Sequence, residues 1–279
     1  MLKKILKDAQ KRKYAIGQFN FSTIEQLRGI LAAAEGLRSP VILGTSEGES
    51  KFLGLKEIIA LVEISKTKYK IPIFLNLDHG KDLEWIKQAI DYGYSAVHFD
   101  GSKLSLEKNI EYAKRIVGYA RKKGVLVEGE LGYIGGESET HKKRAKIEKK
   151  DLTSLKQVER FVKETRVDSL AIAIGNIHGT YAGMLKLDLQ RLKEINNRTT
   201  AFLVLHGGSG IPKTEVKKAI NFGIVKVNIN TELRTAWKET LKTILKTQEI
   251  KPYKILPRVQ AVVQKKVEEK IILFNSKNK

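Results

Sequence analysis

The amino-acid sequence predicts an α/β protein built as a single (β/α)8 TIM barrel. Three observations predict it. Short β-rich runs alternate with longer amphipathic stretches through roughly eight cycles. The β-rich runs are almost wholly apolar, as parallel strands covered on both faces must be. The chain has 279 residues, close to the roughly 250 of a typical barrel.

The predicted strands are Ala15–Phe19, Pro40–Gly44, Ile71–Leu77, Ser95–Asp100, Val125–Glu130, Ser169–Ile174, Ala201–Leu205 and Ile224–Asn228. The runs PVILGT, IPIFLNL and AFLVL show the apolar character most plainly. Helical patterns fill the gaps. Ser22 with Glu25 reads as a capping box, ahead of an apolar face of Ile24, Leu27, Ile30, Leu31 and Ala34. Ser154 with Gln157 reads as a second box, before Val158, Phe161 and Val162. Thr231–Lys246 is a strongly amphipathic helix after the last strand. No Pro/Gly/Ser linker divides the chain, so one domain is expected over 1–279, with a helical extension over about 250–275. The charged stretch GGESETHKKRAKIEKK follows a strand, so the segment 133–150 reads as a mobile βα loop at the catalytic face.

Composition narrows the function. Apolar residues make up 42% and charged residues 30%, the balance of a soluble globular protein. There are no cysteines, which excludes disulfides and thiolate metal sites. The N-terminus MLKKILKDAQKRK is too charged for a signal peptide, and no apolar run is long enough to span a membrane, so a cytoplasmic location is expected. The net charge of +21 comes from 52 Lys+Arg against 31 Asp+Glu. It suits an anionic substrate. The positive charge is mostly lysine along helices with little aromatic interleaving, so neither a nucleic-acid nor a membrane partner is expected.

The 5 histidines carry the strongest signal. His79, His178 and His206 each stand before a glycine and after an apolar run. A residue at the C-terminal end of a barrel strand points into the active-site mouth. Three imidazoles with an open position form a catalytic metal site. His98, inside a strand run, and His141, in the charged loop, read as structural. Asp78 precedes His79 in LNLDHG, where a carboxylate can move a proton, orient a ligand, or cap the next helix.

The glycine-rich segments HGGSGIP and NIHGTYAG lie near the ends of the sixth and seventh strands. Gly207, Gly208 and Ser209 offer N–H groups and a hydroxyl, and Asn228, Asn230 and Thr231 follow in VNINTE. Barrel phosphate sites commonly lie there. Asn20, Ser46, Asp100 with Ser102, and Glu128 with Glu130 are further polar strand ends. Glu128 and Glu130 share a face, where a buried carboxylate needs a metal or a lysine.

With these residues in view, the sequence resembles the class II fructose/tagatose-bisphosphate aldolases. The markers are LDHG, HFDGS, EGELGYIGG, GNIHGTYAG, LHGGSGIP and KVNINTELR, and they span most of the chain. The resemblance implies that His79, His178 and His206 hold Zn²⁺, a monovalent cation being a second candidate ion. It implies that Asp78 is the acid/base at the C4 oxygen, that Glu130 can approach the metal, and that Asp100 supports the ligands from behind. Gly179, Gly207, Ser209, Asn230 and Thr231 would hold the phosphate of dihydroxyacetone phosphate. Asn228 would contact its hydroxyl or carbonyl end, with Asn20 and Ser46 toward the rest of the substrate. The substrate would be fructose or tagatose 1,6-bisphosphate, in a homodimer or homotetramer. The chain departs from the family at Ser138, where a loop glutamate is usual. Glu137 and Glu139 flank it as candidates for the second acid. Asn76 stands where many members have histidine, Asn230 replaces a frequent aspartate, and YKILPRVQAV departs from the usual lysine-proline sequence. The alternative is another metal-dependent barrel lyase or hydrolase acting on a phosphorylated small molecule, with a basic nucleic-acid-binding protein a weaker one.

Overall fold

The computed structural model describes residues 1–135, 147–179 and 185–279. Its strands are β1 (Ile16–Asn20), β2 (Val41–Ser46), β3 (Ile73–Gly80), β4 (Ala96–Phe99), β5 (Leu126–Leu131), β6 (Ser169–Ile172), β7 (Phe202–Leu205) and β8 (Ile224–Ile229). They close in that order into a parallel barrel, β8 pairing back onto β1 through Ile16↔Lys226. The helices are α1 (Leu2–Arg12), α2 (Ile24–Gly36), α3 (Glu47–Leu53), α4 (Leu55–Lys68), α5 (Leu83–Tyr92), α6 (Leu106–Arg121), α7 (Leu155–Thr165), α8 (Leu189–Asn196), α9 (Lys213–Asn221), α10 (Thr231–Ile244) and α11 (Pro252–Leu273). The chain is thus a single-domain (β/α)8 barrel. Of the loop predicted over 133–150, residues 136–146 lie outside the described residues, and Glu137 and Glu139 with them.

Each predicted strand is present, with ends offset by up to three residues, two of them for identifiable reasons. β3 runs on to Gly80 because pairing with β4 resumes after a bulge. β6 stops at Ile172 because the Asn176 side chain takes over its ladder. That amide donates to the carbonyls of Ile172 (3.1 Å) and His206 (3.0 Å), and its Oδ1 accepts from Ile174 N–H (2.8 Å). The two predicted capping boxes do not form. The N-cap of α2 is Thr23, one residue later than predicted, so the side chain that folds back is Gln26, accepting from Ser22 N–H at 2.9 Å. Ser154 is the N-cap of α7 but makes no capping bond with its side chain. A box forms instead at Ser46 with Glu49, at the start of α3.

Outward strand residues such as Phe19, Leu43, Leu75, Val97, Val127, Leu170, Leu203 and Val227 pack beneath the helices as the main core. Inside, the barrel is layered. Ile16, Ile42, Phe74, Ala96 and Phe202 form an apolar floor, sealed from below by Leu2, Leu6 and Ala9 of α1. Two residues further along several of these strands the interior turns polar, with buried Gln18, Asn76, His98 and Glu128, joined by Lys226. A floor closed to water makes every polar contact above it stronger, and every unpaired one costlier.

The pair that anchors this layer is Lys226 Nζ to Glu128 Oε2, 2.6 Å apart with both side chains only 4% exposed. Removing one partner of a buried ion pair leaves an uncompensated charge and costs about 3–5 kcal/mol. Lys226→Met is therefore expected to lower unfolding stability by about that amount in urea titration. Glu128→Gln combined with Lys226→Met should recover part of the loss, because no charge is then stranded. A stability change below about 1 kcal/mol for the single variant would contradict the assigned role.

Candidate active site and metal centre

Strand β3 presents two neighbouring side chains to the same space, which a regular strand cannot do because successive residues face opposite ways. The register with β4 shifts between Leu77 and Gly80, and His79 takes a left-handed backbone with φ 49°. Such a conformation costs about 1–3 kcal/mol in a residue other than glycine. The shift lets Asp78 and His79 both reach the mouth. His98 props the bulge: its Nδ1 accepts the His79 backbone N–H at 3.1 Å.

The other two imidazoles arrive from different elements. His206 directly follows β7. His178 lies in the loop after β6 rather than at the strand end, fixed by its N–H to the Gly135 carbonyl at 2.9 Å. Each ring is held from behind by an oxygen. His79 Nδ1 faces Asp100 Oδ2 at 3.2 Å, His178 Nδ1 faces the Ile134 carbonyl at 3.1 Å, and His206 Nε2 faces Glu128 Oε1 at 2.6 Å. Carbonyl and carboxylate oxygens accept, so each of those nitrogens carries the ring proton. The free lone pairs are then on His79 Nε2, His178 Nε2 and His206 Nδ1. His79 Nε2 lies 3.1 Å from His178 Nε2 and 3.0 Å from His206 Nδ1. The His178 and His206 ring centres are 6.1 Å apart and each is 4.7 Å from His79, so His79 is the hub.

Lone pairs that face one another at this distance need a cation between them. Two overlapping groups of donor atoms lie within 4.8 Å: Asp78, His79, His98 and His206, and His79, Asp100 and Glu130. His178 joins them through His79. Buried Glu130 Oε2 has no hydrogen-bond partner, nor has His98 Nε2, 3.3 Å from it. An imidazole and carboxylate donor set without thiolate, each histidine braced from behind, suits Zn²⁺ or a similar divalent ion. The residues present fit such an ion.

The electrostatics agree. Burial opposes the charge on Asp78, but His79, His206, His98 and Lys226 outweigh it and hold the carboxyl well below the usual range. Asp100 is likewise held low against its burial, by His79 and His98 and by Ser102, which donates to it at 2.6 Å. Burial lowers His79, yet Asp78, Asp100 and Glu130 raise it to about 9. Burial lowers His178 to about 4, and His206 falls well below the imidazole range for the same reason. Burial pushes Glu130 up.

Around the histidines the remaining predicted residues fall into two groups. Gly179 and Gly207 have left-handed backbones, φ 96° and 60°. A Cβ on Gly207 would collide with the Ile177 carbonyl, so only glycine lets the two loops meet. Ser209 Oγ accepts the Glu232 N–H at 3.3 Å, and buried Thr231 opens α10 beside it. Two expectations need correction here. The Gly208 N–H is not open to a ligand, because it donates to the Asn228 carbonyl at 3.2 Å and extends the β7–β8 contact. The Asn230 amide is already engaged, donating to Glu49 at 3.3 Å. Asn228 and Asn20 belong to the second group. Their amides donate to Asp78 Oδ1 and Oδ2, each at 3.0 Å, and Asn228 Oδ1 is buried without a partner. Ser46 is occupied in the α3 capping box.

His98, which reads as structural in the sequence, Glu49 and Lys226 are site residues that the sequence pattern does not single out. The Ser46-x-x-Glu49 spacing was the available signal for the second, and the inward register of Lys226 on β8 for the third.

Binding a divalent ion requires the His79 lone pair, which at neutral pH holds a proton because its pKa is raised to about 9. Zn²⁺ uptake at pH 7 is thus expected to release about one proton per site. Uptake should tighten as pH rises and level off above about 9. Titration calorimetry in buffers of different ionisation enthalpy reads the proton count, and uptake without release would contradict the assignment.

Comparison with known proteins supplies the family. The model of the family described as fructose-bisphosphate aldolase class-II matches residues 1–279. A 6-phospho-5-dehydro-2-deoxy-D-gluconate aldolase of Shouchella clausii is 40% identical over 280 residues, covering 99% of this chain and 94% of the relative. A fructose-bisphosphate aldolase of Staphylococcus aureus is 36% identical over 283 residues, covering 100% and 98%. The crystal structure of the YdjI aldolase from Escherichia coli K12 superposes with a TM-score of 0.86 at 31% identity, covering 99% of this chain and 97% of that one. With a converging imidazole cluster, an adjoining low-pKa carboxylate and a whole-length match, the chain belongs to the class II fructose-bisphosphate aldolase family.

Proposed function

We propose that this protein is a Zn²⁺-dependent aldolase that splits a ketose 1-phosphate into dihydroxyacetone phosphate and an aldehyde. Fructose 1,6-bisphosphate and tagatose 1,6-bisphosphate are the substrates carried by the sequence resemblance, both releasing glyceraldehyde 3-phosphate. The relatives' names add 6-phospho-5-dehydro-2-deoxy-D-gluconate to the panel. A homodimer or homotetramer belongs to the same proposal and rests on the resemblance alone, and a cytoplasmic location is proposed with it.

The observation that carries the reading is Asp78, an ionised carboxylate held beside three inward lone pairs. Cleaving a carbon–carbon bond next to a hydroxyl requires that hydroxyl's proton to leave, and a carboxylate in hydrogen-bond reach takes it. The amides of Asn20 and Asn228 hold both Asp78 oxygens, so the base is aimed before substrate arrives. The divalent ion, held by His79, His178 and His206 with Glu130 in reach, supplies Lewis-acid charge at the carbonyl end when bound. Asp100 and Glu128 keep two of its ligands in the right tautomer. Gly179, Gly207, Ser209 and Thr231 form the phosphate end, with Asn228 Oδ1 free to meet the hydroxyl between. The second acid, which returns a proton to the three-carbon product, is proposed to be Glu137 or Glu139.

Release of dihydroxyacetone phosphate is measured by a coupled assay over the three substrates. Chelator should abolish it and Zn²⁺ or Co²⁺ restore it, and borohydride should trap no lysine adduct. Asp78→Asn should lower kcat by about 10²–10⁴-fold with metal content unchanged. Chelator-resistant cleavage, or a trapped lysine, would reject the proposal. A hydrolase built on the same ion would fail to bind a dihydroxyacetone phosphate analogue.

A further inference from the structure

We propose that Glu49 is a specificity-determining residue that turns a second phosphate away from the subsite beyond Asp78. The proposal rests on the aldolase reading above and deepens it. It narrows that reading by ranking a ketose 1-phosphate with an uncharged tail ahead of the bisphosphates.

Glu49 sits in the first turn of α3, just after β2, and its side chain is 7% exposed. Four donors converge on it. Oε2 accepts the Ser46 N–H at 2.7 Å and the Asn20 amide at 3.0 Å. Oε1 accepts from the Arg234 guanidinium at 2.7 Å and the Asn230 amide at 3.3 Å. A backbone N–H at a helix start, two amides and a guanidinium are the donor set that an anionic ligand group would use. In this chain a protein carboxylate already uses it.

The position of Glu49 relative to the chemistry gives the arrangement its meaning. The Asn20 amide that donates to Glu49 also donates to Asp78 at 3.0 Å, so one amide separates the two carboxylates. In the closed strand order, β2 lies across the barrel from β6, whose following loop carries Gly179. A substrate with its phosphate at Gly179 and Gly207 and its C4 oxygen at Asp78 therefore runs its tail toward Glu49. There a cavity of about 580 Å³ opens, lined by Gln26, Phe52, Arg234, Trp237 and Lys238 beside Glu49. An uncharged tail needs none of these engaged donors and meets no like charge. A tail phosphate meets a like charge and must compete for donors already engaged. The Arg234 charge is neutralised by Glu49, and Lys238 stands at the exposed rim, where solvent screens it.

The test compares pairs that differ only in the tail: fructose 1-phosphate with fructose 1,6-bisphosphate, and tagatose 1-phosphate with tagatose 1,6-bisphosphate. Dihydroxyacetone phosphate release gives kcat and KM for the metal-loaded wild type, E49Q and E49A. Wild type is expected to favour the monophosphate in kcat/KM by at least about tenfold, since like-charge juxtaposition is worth that much or more. Both variants should shift the ratio at least about tenfold toward the bisphosphate, chiefly through its KM. Glu49→Gln keeps an acceptor for the Ser46 N–H, so it reports on charge even if Glu49→Ala weakens the α3 cap. A wild type that prefers the bisphosphates, or variants with an unchanged ratio, would overturn the inference and leave the aldolase reading standing. Absence of dihydroxyacetone phosphate from every pair, with metal bound, would overturn both.

Discussion

The site depends on oxygens that stand behind the histidines. An imidazole has two nitrogens, and which one is free to bind is decided by what the other donates to. Asp100, the Ile134 carbonyl and Glu128 each claim one ring proton, and this is what turns three lone pairs inward. Without them the rings would be free to place N–H groups at the centre, and the convergence seen at His79 Nε2 would have no chemical consequence. The braces come from β4, β5 and the segment after β5, while the rings come from β3, β7 and the loop after β6. The barrel is needed because no shorter unit brings those elements to one point.

The second requirement is local and strained. Asp78 and His79 can share the mouth only because β3 breaks register and His79 accepts a left-handed backbone. That cost of about 1–3 kcal/mol is offset by neighbouring contacts. His98 receives the displaced N–H, and pairing resumes at Gly80 with Asp100 N–H donating to the Gly80 carbonyl at 2.9 Å. The strain thus places a carboxylate and an imidazole of the same cluster one residue apart. It also explains why Asp100, placed by that same resumed pairing, sits where it can hold the His79 ring.

The barrel was legible because its signal is periodic and repeated. Eight apolar runs separated by helical patterns admit few other closures, and the His-Gly pairs fell at or just past their ends. Asp78, Asp100 and the two strand-5 glutamates were legible for a related reason, since charged residues on an inward face must have partners. What escaped were the partners themselves. Lys226 looks like one lysine among many until the closure of β8 onto β1 places it inside the barrel, across from Glu128. His98 reads as a strand residue until the bulge in β3 gives it an N–H to accept. The Gly208 N–H looked open because glycine leaves space around it, yet the β7–β8 contact consumes it. Pairing across distant strands is set by register, and register is not written in any single segment.

Charge counting joins these strands of argument. Asp78, Asp100, Glu128 and Glu130 surround the histidines, and Lys226 is the buried ammonium set against them. With neutral imidazoles the cluster carries an excess of negative charge in a pocket with a sealed apolar floor, which low-dielectric surroundings penalise. Two relaxations are visible: His79 is raised to about 9, so it keeps a proton at neutral pH, and Glu130 is pushed up by burial. The His79 proton adds positive charge where the three lone pairs meet. A divalent cation does the same with two charges at once, and it uses the lone pair that the proton occupies. The cluster therefore suits a cation, and the His79 proton occupies the same place. Lys226 serves the same end from below, neutralising Glu128 so that this carboxylate can orient His206 without adding its full charge to the centre.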